Sequence, residues 1–519
     1  MLLFFCLLAA QAFGEKQFVK MLGGPYYDIG YAAIQTRDGG YAVAGETESF
    51  GSGLYDVLLA KCDSFGNPEW TRSLGEAGND RAYSLIQTVD GGYAIAGETG
   101  SFGADSGDVL LAKFDAFGNV QWVSVLNASH YDVARCLIQT TDRGYALTGW
   151  TQDLSSDADV LIAKFDSLGD HEWTRTLGGQ DDDCAHSIVQ TVEDGYAVAG
   201  GTFSFGAEYR DIFLAKLDSS GGCEWSVRAG GQNDEVAYDL VQTTDGGFAL
   251  AGETFSFGAQ NYDLLLAEFD FAGGHRWTRM WGGLGIDRAY SLIQTADEGY
   301  ILTGRTDSYG AGCQDVLLAK FGSSGDGVWG RTLGGISVDR AYSVSGTTDG
   351  GCVLVGQVKS FAAGLYDVLL AKCGESGELC LGDSIDLSID TVLPSVSGVT
   401  LAIDTILPII TDVSPAVVAA APTMTILCEN VDFVRSDGNG DMVETIADGV
   451  YIINYIYRNG LGVCEDACDV NDDGRVTSAD AVYLVNHIYR SGLPPPDPFP
   501  GCGWDPTPDR LGCGSYTCP

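Results

Sequence analysis

A unit of 51 or 52 residues is repeated seven times between Phe18 and Cys380, and this repetition constrains the fold more than any other feature of the chain. The clearest copy begins at Trp277 and reads WTRMWGGLGIDRAYSLIQTADEGYILTGRTDSYGAGCQDVLLAKFGSSGDGVW. The opening aromatic residue recurs as Phe18, Trp70, Trp122, Trp173, Trp225, Trp277 and Trp329. An acid before the first apolar run recurs as Asp28, Asp80, Asp132, Asp183, Asp234, Asp287 and Asp339. Another acid, before the second run, recurs as Asp56, Asp108, Asp159, Asp211, Asp263, Asp315 and Asp367. Three markers with one period predict a repeat architecture.

Each repeat has the periodicity of β-strands. In the second copy, the β-prone run 82–88 ends at a tight-turn signal, Asp90-Gly91-Gly92, and a second run, 93–99, follows at hairpin distance. A longer loop leads to Asp108 and the run VLLAKF, and a fourth strand surrounds Trp122. Runs such as VLLA do not alternate between apolar and polar residues, which predicts sheets covered on both faces.

The predicted fold class is mainly β: a seven-bladed β-propeller of four-stranded blades, followed by a linker and a small α-helical domain. The chain starts with a fourth-strand sequence at 18–22, and its last complete strand, at 367–372, is a third-strand sequence. The N-terminal strand is therefore predicted to complete the last blade and close the ring. The alternative is an open solenoid, which requires polar caps that the sequence does not show.

The repeat resembles a family of secreted bacterial and archaeal repeat proteins whose units read W..TLGG...D.AYSLIQT.DGGYA.AG.T.SFG....D..L.K.D..GN..W. The resemblance covers about seventy per cent of the chain, 18–380 of 519 residues. It implies the propeller fold and export, and it implies little about activity, because propellers support enzymes, lectins and scaffolds alike.

Charge and the N-terminus narrow the classes of partner. The chain has 28 basic and 71 acidic residues and a formal charge of −43, which disfavours nucleic acid and anionic membranes as partners. Residues 1–14, MLLFFCLLAAQAFG, read as a signal peptide cleaved near Ala12; the alternative is a buried first strand. No later run is long enough for a membrane helix. The protein is expected to be secreted, either extracellular or at the cell surface, and not transmembrane.

The repeated acids allow two interpretations. Residues needed seven times are usually needed by the blade itself, as turn or strand caps whose carboxylates accept backbone N–H bonds. The functional interpretation is a carboxylate-rich face that collects cations at one end of the propeller.

The third copy departs most from the repeat. It reads NASHYD where other copies have LGG-like loops, and Trp150 stands where they place Glu46, Glu98, Gly201, Glu253, Arg305 and Gln357. Trp150 with His130 and Arg135 could stack on a sugar or a peptide. The alternative is neutral drift on an exposed edge.

The sequence contains no recognisable catalytic motif, and we assign no catalytic residues. The five histidines show no metal-ligand spacing, and neither a G-x-S-x-G elbow nor a P-loop is present. A pair of acids for glycoside hydrolysis is still possible, because any two of the 71 acidic residues could lie close together in the fold.

The composition changes after the repeats. Residues 381–429 are rich in Ser, Thr, Val, Ile and Pro, with IDTVLP at 389–394 nearly repeated at 403–408; we predict a semi-extended linker, with a small pair of strands as the alternative. The cysteines of the repeats occupy varied positions and resemble scattered small apolar residues. The six cysteines from Cys428 onward predict some disulfides, with free thiols or a metal knuckle as alternatives. Residues 493–519 form a Pro- and Cys-rich tail.

A calcium loop is the strongest chemical signal. Asp469, Asn471, Asp473 and Asp480 place oxygen ligands at loop positions 1, 3, 5 and 12, and the carbonyl of Arg475 adds position 7. Gly474 permits the sharp turn at position 6, and calcium takes six to eight such oxygens. The alternative is an Asp/Asn-rich turn that caps the following helix.

A second loop lies 32 residues earlier, with Asp437, Asn439, Asp441 and Asp448 at the same four positions and Met442 in place of the glycine. Each loop precedes an apolar helix-like run, DGVYIINYIYRNG or DAVYLVNHIYRSG. Two such units resemble a type I dockerin, at 430–492. The resemblance implies Ca²⁺ on these residues and a cohesin-like partner bound through loop positions 10 and 11. Those positions hold Ile446-Ala447 and Ser478-Ala479 instead of the usual hydroxyl pair.

Two functional interpretations follow. The favoured one is an exported, non-catalytic binding or scaffold protein, whose propeller at 15–380 binds protein or glycan and whose dockerin-like module binds calcium and docks to a cohesin-like partner. The alternative is a polysaccharide-active enzyme, a glycoside hydrolase or lyase, of an extracellular assembly that degrades polysaccharide.

Overall fold

A computed structural model of the chain describes residues 17–103, 107–153, 157–205, 209–257, 261–362 and 365–378, together with the backbone of short strands between 383 and 429. The chain divides into two compact units, 1–427 and 428–519. Apart from the last two residues of the final strand, the second unit lies outside the described residues. The described fold is therefore that of the first unit.

The repeats form seven antiparallel sheets, the blades, and consecutive blades follow one another along the chain. Blade 1 contains β2 (Asp28–Gln35), β3 (Tyr41–Thr47), β4 (Asp56–Cys62) and β5 (Pro68–Leu74). Blade 2 contains β6 (Asp80–Gln87), β7 (Tyr93–Thr99), β8 (Asp108–Phe114) and β9 (Val120–Asn127). Blade 3 contains β10 (Tyr131–Gln139), β11 (Tyr145–Gln152), β12 (Ala158–Phe165) and β13 (His171–Gly178). Blade 4 contains β14 (Asp183–Gln190), β15 (Tyr196–Thr202), β16 (Asp211–Leu217) and β17 (Cys223–Gly230).

The remaining three blades have the same order. Blade 5 contains β18 (Glu235–Gln242), β19 (Phe248–Thr254), β20 (Asp263–Phe269) and β21 (His275–Trp281). Blade 6 contains β22 (Asp287–Gln294), β23 (Tyr300–Thr306), β24 (Asp315–Phe321) and β25 (Gly327–Leu333). Blade 7 contains β26 (Asp339–Gly346), β27 (Cys352–Val358), β28 (Asp367–Cys373) and β1 (Phe18–Gly23). The first strand of each blade lies innermost and contacts the first strands of both neighbouring blades. The predicted seven-bladed propeller of four-stranded blades is confirmed.

The N-terminal strand closes the ring as predicted. β1 pairs antiparallel with β28, from Phe18 opposite Lys372 to Leu22 opposite Val368. The innermost strands β2 and β26 also contact each other across the seam. An open solenoid is therefore excluded.

The turn residues explain why each repeat folds into hairpins. In blade 2 the Asp90 carboxylate accepts hydrogen bonds from the Thr88 hydroxyl (2.5 Å) and the Gly92 amide (3.0 Å). Gly91 between them has a φ of +87°, a conformation that favours glycine. The middle strands β7 and β8 are buried along their whole length, which explains why their sequences do not alternate.

Both series of repeated acids are mainly structural. Asp28 is fully buried, and its carboxylate accepts bonds from the Ser49 hydroxyl (2.6 Å) and the Gly24 amide (2.8 Å). Asp56 is also buried and accepts the amide of Ser52 at 2.8 Å. These contacts confirm the role as turn and strand caps.

One member of the first series is wrongly assigned by the sequence. In blade 5 the buried cap is Glu235, whose carboxylate accepts the Thr254 hydroxyl (2.8 Å) and the Gly231 amide (2.6 Å). Asp234, one residue earlier, instead accepts the Arg210 amide and the Tyr262 hydroxyl. Glu235 stands 52 residues after Asp183 and 52 before Asp287, at the position that aspartate has in the other blades, so choosing aspartates alone selected the neighbouring residue.

Two of the repeat cysteines are bonded to each other, which corrects their interpretation as scattered small apolar residues. Cys352 and Cys373 stand directly opposite in the ladder between β27 and β28, with their Cα atoms 5.3 Å apart, and form a disulfide. Antiparallel pairing brings the first residue of one strand against the last residue of the next, although the two lie 21 residues apart in the chain. Cys62, opposite Tyr41 in blade 1, is a free buried thiol, as the sequence predicts.

The predicted linker contains strands. The structure describes β29 (Asp383–Ile385), β30 (Asp390–Val392), β31 (Ser395–Gly398), β32 (Ala402–Thr405), β33 (Ile409–Asp412), β34 (Val417–Ala419) and β35 (Thr423–Glu429). Each is the fifth strand of a different blade and pairs with the outermost strand of that blade. The structure therefore has seven short strands where we predicted a semi-extended spacer or a small pair of strands. Strands this short do not show the apolar–polar alternation by which a β-strand is recognised in a sequence.

Glutamines at the ends of the innermost strands join each blade to the next. The Gln87 side chain accepts the Arg37 amide of the preceding blade at 2.9 Å, and Gln139 accepts the Val89 amide at 2.9 Å. The same bond crosses the seam, where Gln35 accepts the Thr348 amide at 2.7 Å. In blade 7 the corresponding residue is Gly346, which has no side chain to make this bond.

We predict that Gly346→Gln stabilises the propeller. The backbone φ of Gly346 is not positive, and a Cβ there meets only the Ile293 side chain, at 3.7 Å. The new amide then reaches the Ala296 amide by the register of the other blades and adds one hydrogen bond, about 1 kcal/mol. Chemical unfolding of Gly346→Gln and of the control Gly346→Ala measures the difference in their free energies of unfolding. Equal stability of the two variants would contradict the blade-to-blade bond.

Candidate binding site at the centre of the propeller

The fourth position of the repeated first strand, counted from its capping acid, faces the propeller axis. Five of its seven occupants are Tyr31, Tyr83, Tyr238, Tyr290 and Tyr342, and the other two are Arg135 and His186. Neighbouring rings lie 5.0 Å apart for Tyr31 and Tyr83, and 5.3 Å apart for Tyr31 and Tyr342. We call these seven residues the inner ring. Their side chains are partly exposed, so they line the channel at the axis.

Blades 3 and 4 interrupt the tyrosines. The Arg135 guanidinium lies over the ring of Tyr83, at 4.0 Å, and over the ring of Trp150, at 4.6 Å. His186 lies 6.4 Å from Trp150 and 5.1 Å from Tyr238. Trp150 therefore fills the gap between Arg135 and His186, and the inner ring is continuous.

These contacts revise the prediction made from the third copy. Trp150 and Arg135 come together as predicted, but they lie beside the channel and not on an exposed edge. His130 precedes β10 and stands five residues, roughly 16 Å of extended strand, before Arg135. The sequence did not predict His186 as a member of this cluster, although its position in the repeat, 51 residues after Arg135, identifies it.

Glutamates support the tyrosines in the other blades. The Tyr31 hydroxyl donates to Glu46 (3.0 Å), the Tyr83 hydroxyl to Glu98 (2.9 Å) and the Tyr238 hydroxyl to Glu253 (2.7 Å). The Arg81 guanidinium bridges Glu46 and Glu98. Burial raises the pKa of Glu46, against the opposing effect of Arg81. Burial also acts to raise the pKa of Glu98, but hydrogen bonds from Tyr131, Arg81 and Tyr83 outweigh it and lower that pKa.

Blade 4 replaces this glutamate with Gly201. A Cβ at Gly201 would lie 2.7 Å from Cδ of Arg210, so Arg210 occupies the space that a side chain would take. The Arg210 guanidinium also lies 4.7 Å from the ring of Phe203. We call Arg135, Trp150, His186 and Arg210 the cationic sector. The sequence missed Arg210, whose equivalents in three other blades are Tyr55, Tyr262 and Tyr366.

The cationic sector lacks the glutamates that pair with Arg81 in blade 2 and with Arg288 in blade 6. Within the described part of the chain, no ion pair joins Arg135 or Arg210 to an acid. The Nε atoms of both are buried and have no hydrogen-bond partner there. Burial, together with the nearby guanidinium groups of Arg135 and Arg210, lowers the pKa of His186 to about 3. The imidazole is therefore neutral at neutral pH, and the sector offers two unbalanced cations beside aromatic faces.

A buried acid near the axis has a structural role. Asp239 accepts the Ser187 hydroxyl (2.9 Å) and the Leu240 amide (2.8 Å) on one oxygen. Its other oxygen accepts the Ser291 hydroxyl (3.1 Å) and the Leu292 amide (2.8 Å). Burial raises the pKa of Asp239. Because four donors from three blades saturate this carboxyl group, it joins blades 4, 5 and 6.

The predicted calcium ligands lie outside the described residues. They are Asp437, Asn439, Asp441, Asp448, Asp469, Asn471, Asp473, Arg475 and Asp480. Within the described residues, no three His, Cys, Asp or Glu side chains cluster closely enough to hold a metal ion. In the described part of the chain there is no helix that is long and apolar enough to cross a membrane.

Comparison with known proteins identifies the C-terminal module. Residues 435–489 match the family model of the dockerin type I domain. The chain is thus a seven-bladed β-propeller followed by a type I dockerin, the class that its repeats and its calcium loops predict. Type I dockerins generally bind calcium and cohesins, and proteins that contain them are typically extracellular or on the cell surface.

Other similarities are distant. Over 118 residues the chain is 26% identical to the regulatory protein FlaEY of Caulobacter vibrioides, a match that covers 20% of this chain and only 12% of that protein. Sqt1 from Chaetomium thermophilum is similar with a TM-score of 0.39 and 12% identity, over 64% of this chain and 80% of that one. The PQQ-bound aldose sugar dehydrogenase of Streptomyces coelicolor is similar with a TM-score of 0.32 and 9% identity, over 69% of this chain and 98% of that one. These similarities carry no argument about function.

We predict that His186 makes the propeller sensitive to acid. The unfolded chain takes up a proton on this residue below its ordinary pKa of 6.5, whereas the folded chain does so only near 3. Its contribution to stability is therefore lost as the pH falls from 6.5 towards 3. His186→Tyr restores the residue of five other blades. The Tm of this variant minus the Tm of the unaltered protein should increase by about 2 °C when the pH is lowered from 7.5 to 4.5.

The converse variant is Tyr290→His, which places a histidine in the inner ring at blade 6. The Tm of this variant should fall more than that of the unaltered protein when the pH is lowered from 7.5 to 4.5. Thermal unfolding followed by circular dichroism measures both. Parallel pH profiles for all three proteins would show that the inner ring does not resist protonation.

Proposed function

We propose that this is an exported, non-catalytic binding protein whose propeller binds a glycan that carries carboxylate groups. The cationic sector forms the binding site. The dockerin type I domain binds calcium and attaches the propeller to a cohesin-like partner outside the cell. The observation that carries the proposal is a pair of arginines without carboxylate partners at the centre of a strongly acidic protein.

The charge of the chain makes this cationic sector informative. With a formal charge of −43, the protein repels most anions, so an acidic ligand gains from contacts with guanidinium groups that carboxylates do not already neutralise. Arg135 and Arg210 are such groups, and guanidinium binds carboxylate through two parallel hydrogen bonds. Elsewhere in the ring, Arg81 and Arg288 bind glutamates of the chain itself.

The aromatic residues favour a sugar ring as the body of the ligand. Trp150 and the tyrosines of the inner ring present flat apolar faces, and their N–H and O–H groups are polar at the edge. A uronic acid has a matching structure, because its ring offers C–H faces and its carboxylate offers charge. The imidazole of His186 is neutral, so it can form a hydrogen bond with the ligand but adds no third positive charge to the site.

The geometry of the acids favours binding over hydrolysis. Glycosidases need one carboxyl group that donates a proton and another that attacks or activates water. Glu46 and Glu98 are held by Arg81 and by tyrosine hydroxyls, and Asp239 is saturated by four donors. These contacts support the non-catalytic interpretation.

We predict that the full-length protein retains a polyuronate, such as polygalacturonate, and does not retain neutral glucans. Arg135→Tyr combined with Trp150→Glu restores the residues of blade 2 and should weaken binding at least tenfold, or about 1.4 kcal/mol. Arg340→Gln is the matched control, because it removes a guanidinium from the second position of an innermost strand on the other side of the channel, where Arg340 bonds to Gln314.

Three results would change the proposal. Equal binding of neutral and acidic glycans, or equal losses in the double variant and the control, would overturn the carboxylate site. Retention of an acidic peptide in place of any glycan would make the ligand a protein. Appearance of new reducing or unsaturated sugar ends during incubation would favour the polysaccharide-active enzyme.

The donor atoms of the dockerin domain suit calcium. Asp469, Asn471 and Asp473 supply side-chain oxygens, Arg475 supplies its carbonyl, and Asp480 closes the loop. The first loop repeats this set with Asp437, Asn439, Asp441 and Asp448. Residues 446–447 and 478–479, the positions of cohesin contact in the family, lack the usual hydroxyl pair, so a partner of altered specificity is expected.

We predict that Asp469→Ala abolishes calcium binding by the second loop, because it removes the first ligand. Titration calorimetry of the full-length protein should show one calcium ion fewer per chain. The control is Asp466→Ala, which removes the same charge three residues before the loop and should bind calcium as the unaltered protein does. Unchanged stoichiometry in Asp469→Ala would exclude this loop as a calcium site.

A further inference from the structure

The outer edges of the blades pair with the C-terminal part of the first unit in a fixed register. In blade 6, Arg331 stands two residues after Trp329 and lies opposite Ser384. In blade 5, Arg279 stands two residues after Trp277 and lies opposite Thr391. The same position of the repeat lies opposite Gly398 in blade 4, Thr405 in blade 3, Asp412 in blade 2 and Ala419 in blade 1. These six partners, 384, 391, 398, 405, 412 and 419, are spaced by seven residues without exception.

The sequence of this segment has the same period. Residues 381–429 divide into seven heptads: LGDSIDL, SIDTVLP, SVSGVTL, AIDTILP, IITDVSP, AVVAAAP and TMTILCE. Four of the seven end in proline, at Pro394, Pro408, Pro415 and Pro422. Proline lacks an amide donor and ends a strand. Each heptad therefore reads as one short strand followed by a break.

The order of pairing shows the path of the segment. β29 pairs in blade 6, and the following strands pair in blades 5, 4, 3, 2 and 1, opposite to the order of the blades in the chain. β35 is the neighbour of β1, the outermost strand of blade 7. The segment thus passes round the propeller once.

We infer that the seven outer edges form one docking surface for the chain's own residues 381–429, and that one heptad is the unit that binds one blade. We call this segment the belt. Extending the spacing by one heptad places Ile426 opposite Lys20, two residues after Phe18, which completes the series in blade 7. Uncovered outer strands would present seven rows of free amide and carbonyl groups to other chains, and the belt occupies them.

Cysteine pairs in the full-length protein test the register. Residues directly opposite in an antiparallel ladder have Cα atoms close enough for a disulfide. Arg279→Cys with Thr391→Cys should cross-link, whereas Arg279→Cys with Val392→Cys, one residue out of register, should not. Peptide mapping by mass spectrometry without reduction identifies the linked peptides among the native cysteines.

Removal of one heptad tests whether the heptad is the unit. Deletion of 395–401 moves every later heptad by one blade, so Thr405 should come opposite Val227 in place of Arg175. The pair Val227→Cys and Thr405→Cys should therefore cross-link only in the shortened chain. Persistence of the link between positions 175 and 405 in the shortened chain would overturn the inference.

Hydrogen exchange of the unaltered protein gives a test that needs no variant. Amides of the strands between 383 and 426 should exchange slowly, together with those of β5, β9 and β13. Fast exchange of this segment beside protected blades would show that the edges are not occupied by it. Links found only between two chains, as dimers without reductant, would make a second copy the occupant and would also contradict the inference.

Discussion

The propeller depends on one antiparallel ladder, the pairing of β1 with β28. Every blade has two faces that bury apolar residues against neighbouring blades, so a row of blades has two uncovered ends unless the ring closes. The N-terminal strand supplies the outermost strand of the last blade, and its Val19 and Met21 are almost completely buried there. Opening the ring therefore requires breaking the hydrogen bonds of a complete strand and exposing two apolar faces at once.

Closure also explains why the acids of the repeat are buried. Asp28 and its equivalents sit where the outermost strand of one blade passes to the innermost strand of the next, a place with many amide groups that no ladder satisfies. A carboxylate there accepts several donors and holds the connection. Some of the many acids of the chain therefore have a structural role inside the propeller.

The same symmetry makes departures from it informative. Five tyrosines and several glutamates build a channel wall in which Arg81 and Arg288 pair with glutamates. At blades 3 and 4 the wall changes to Arg135, Trp150, His186 and Arg210, and the carboxylates are missing. A single exchange is ordinary variation, but four exchanges on adjacent blades place two arginines without acid partners beside a tryptophan and a neutral histidine.

Residue patterns predicted much of this structure. Strand positions, blade number and the completion of blade 7 by the N-terminus followed from a period of 51 or 52 residues, and the capping role of Asp28 followed from its repetition. Three features escaped. Glu235, and not the adjacent Asp234, is the capping acid of blade 5, because it stands at the repeat position that aspartate has elsewhere. Cys352 and Cys373 pair across a ladder that sequence distance conceals, and the belt strands are too short for their period to suggest pairing.

The sequence by itself determined the local structure of the propeller: the hairpins, their turns and the fully buried middle strands. These features depend on residues that are near one another in the chain. Only the tertiary structure decided which distant residues meet. Ring closure carries the same position of every repeat to a common axis, so Arg135 and His186 become neighbours through Trp150. It also aligns seven outer edges, and the belt can pair with them only because the blades hold those edges at a regular spacing.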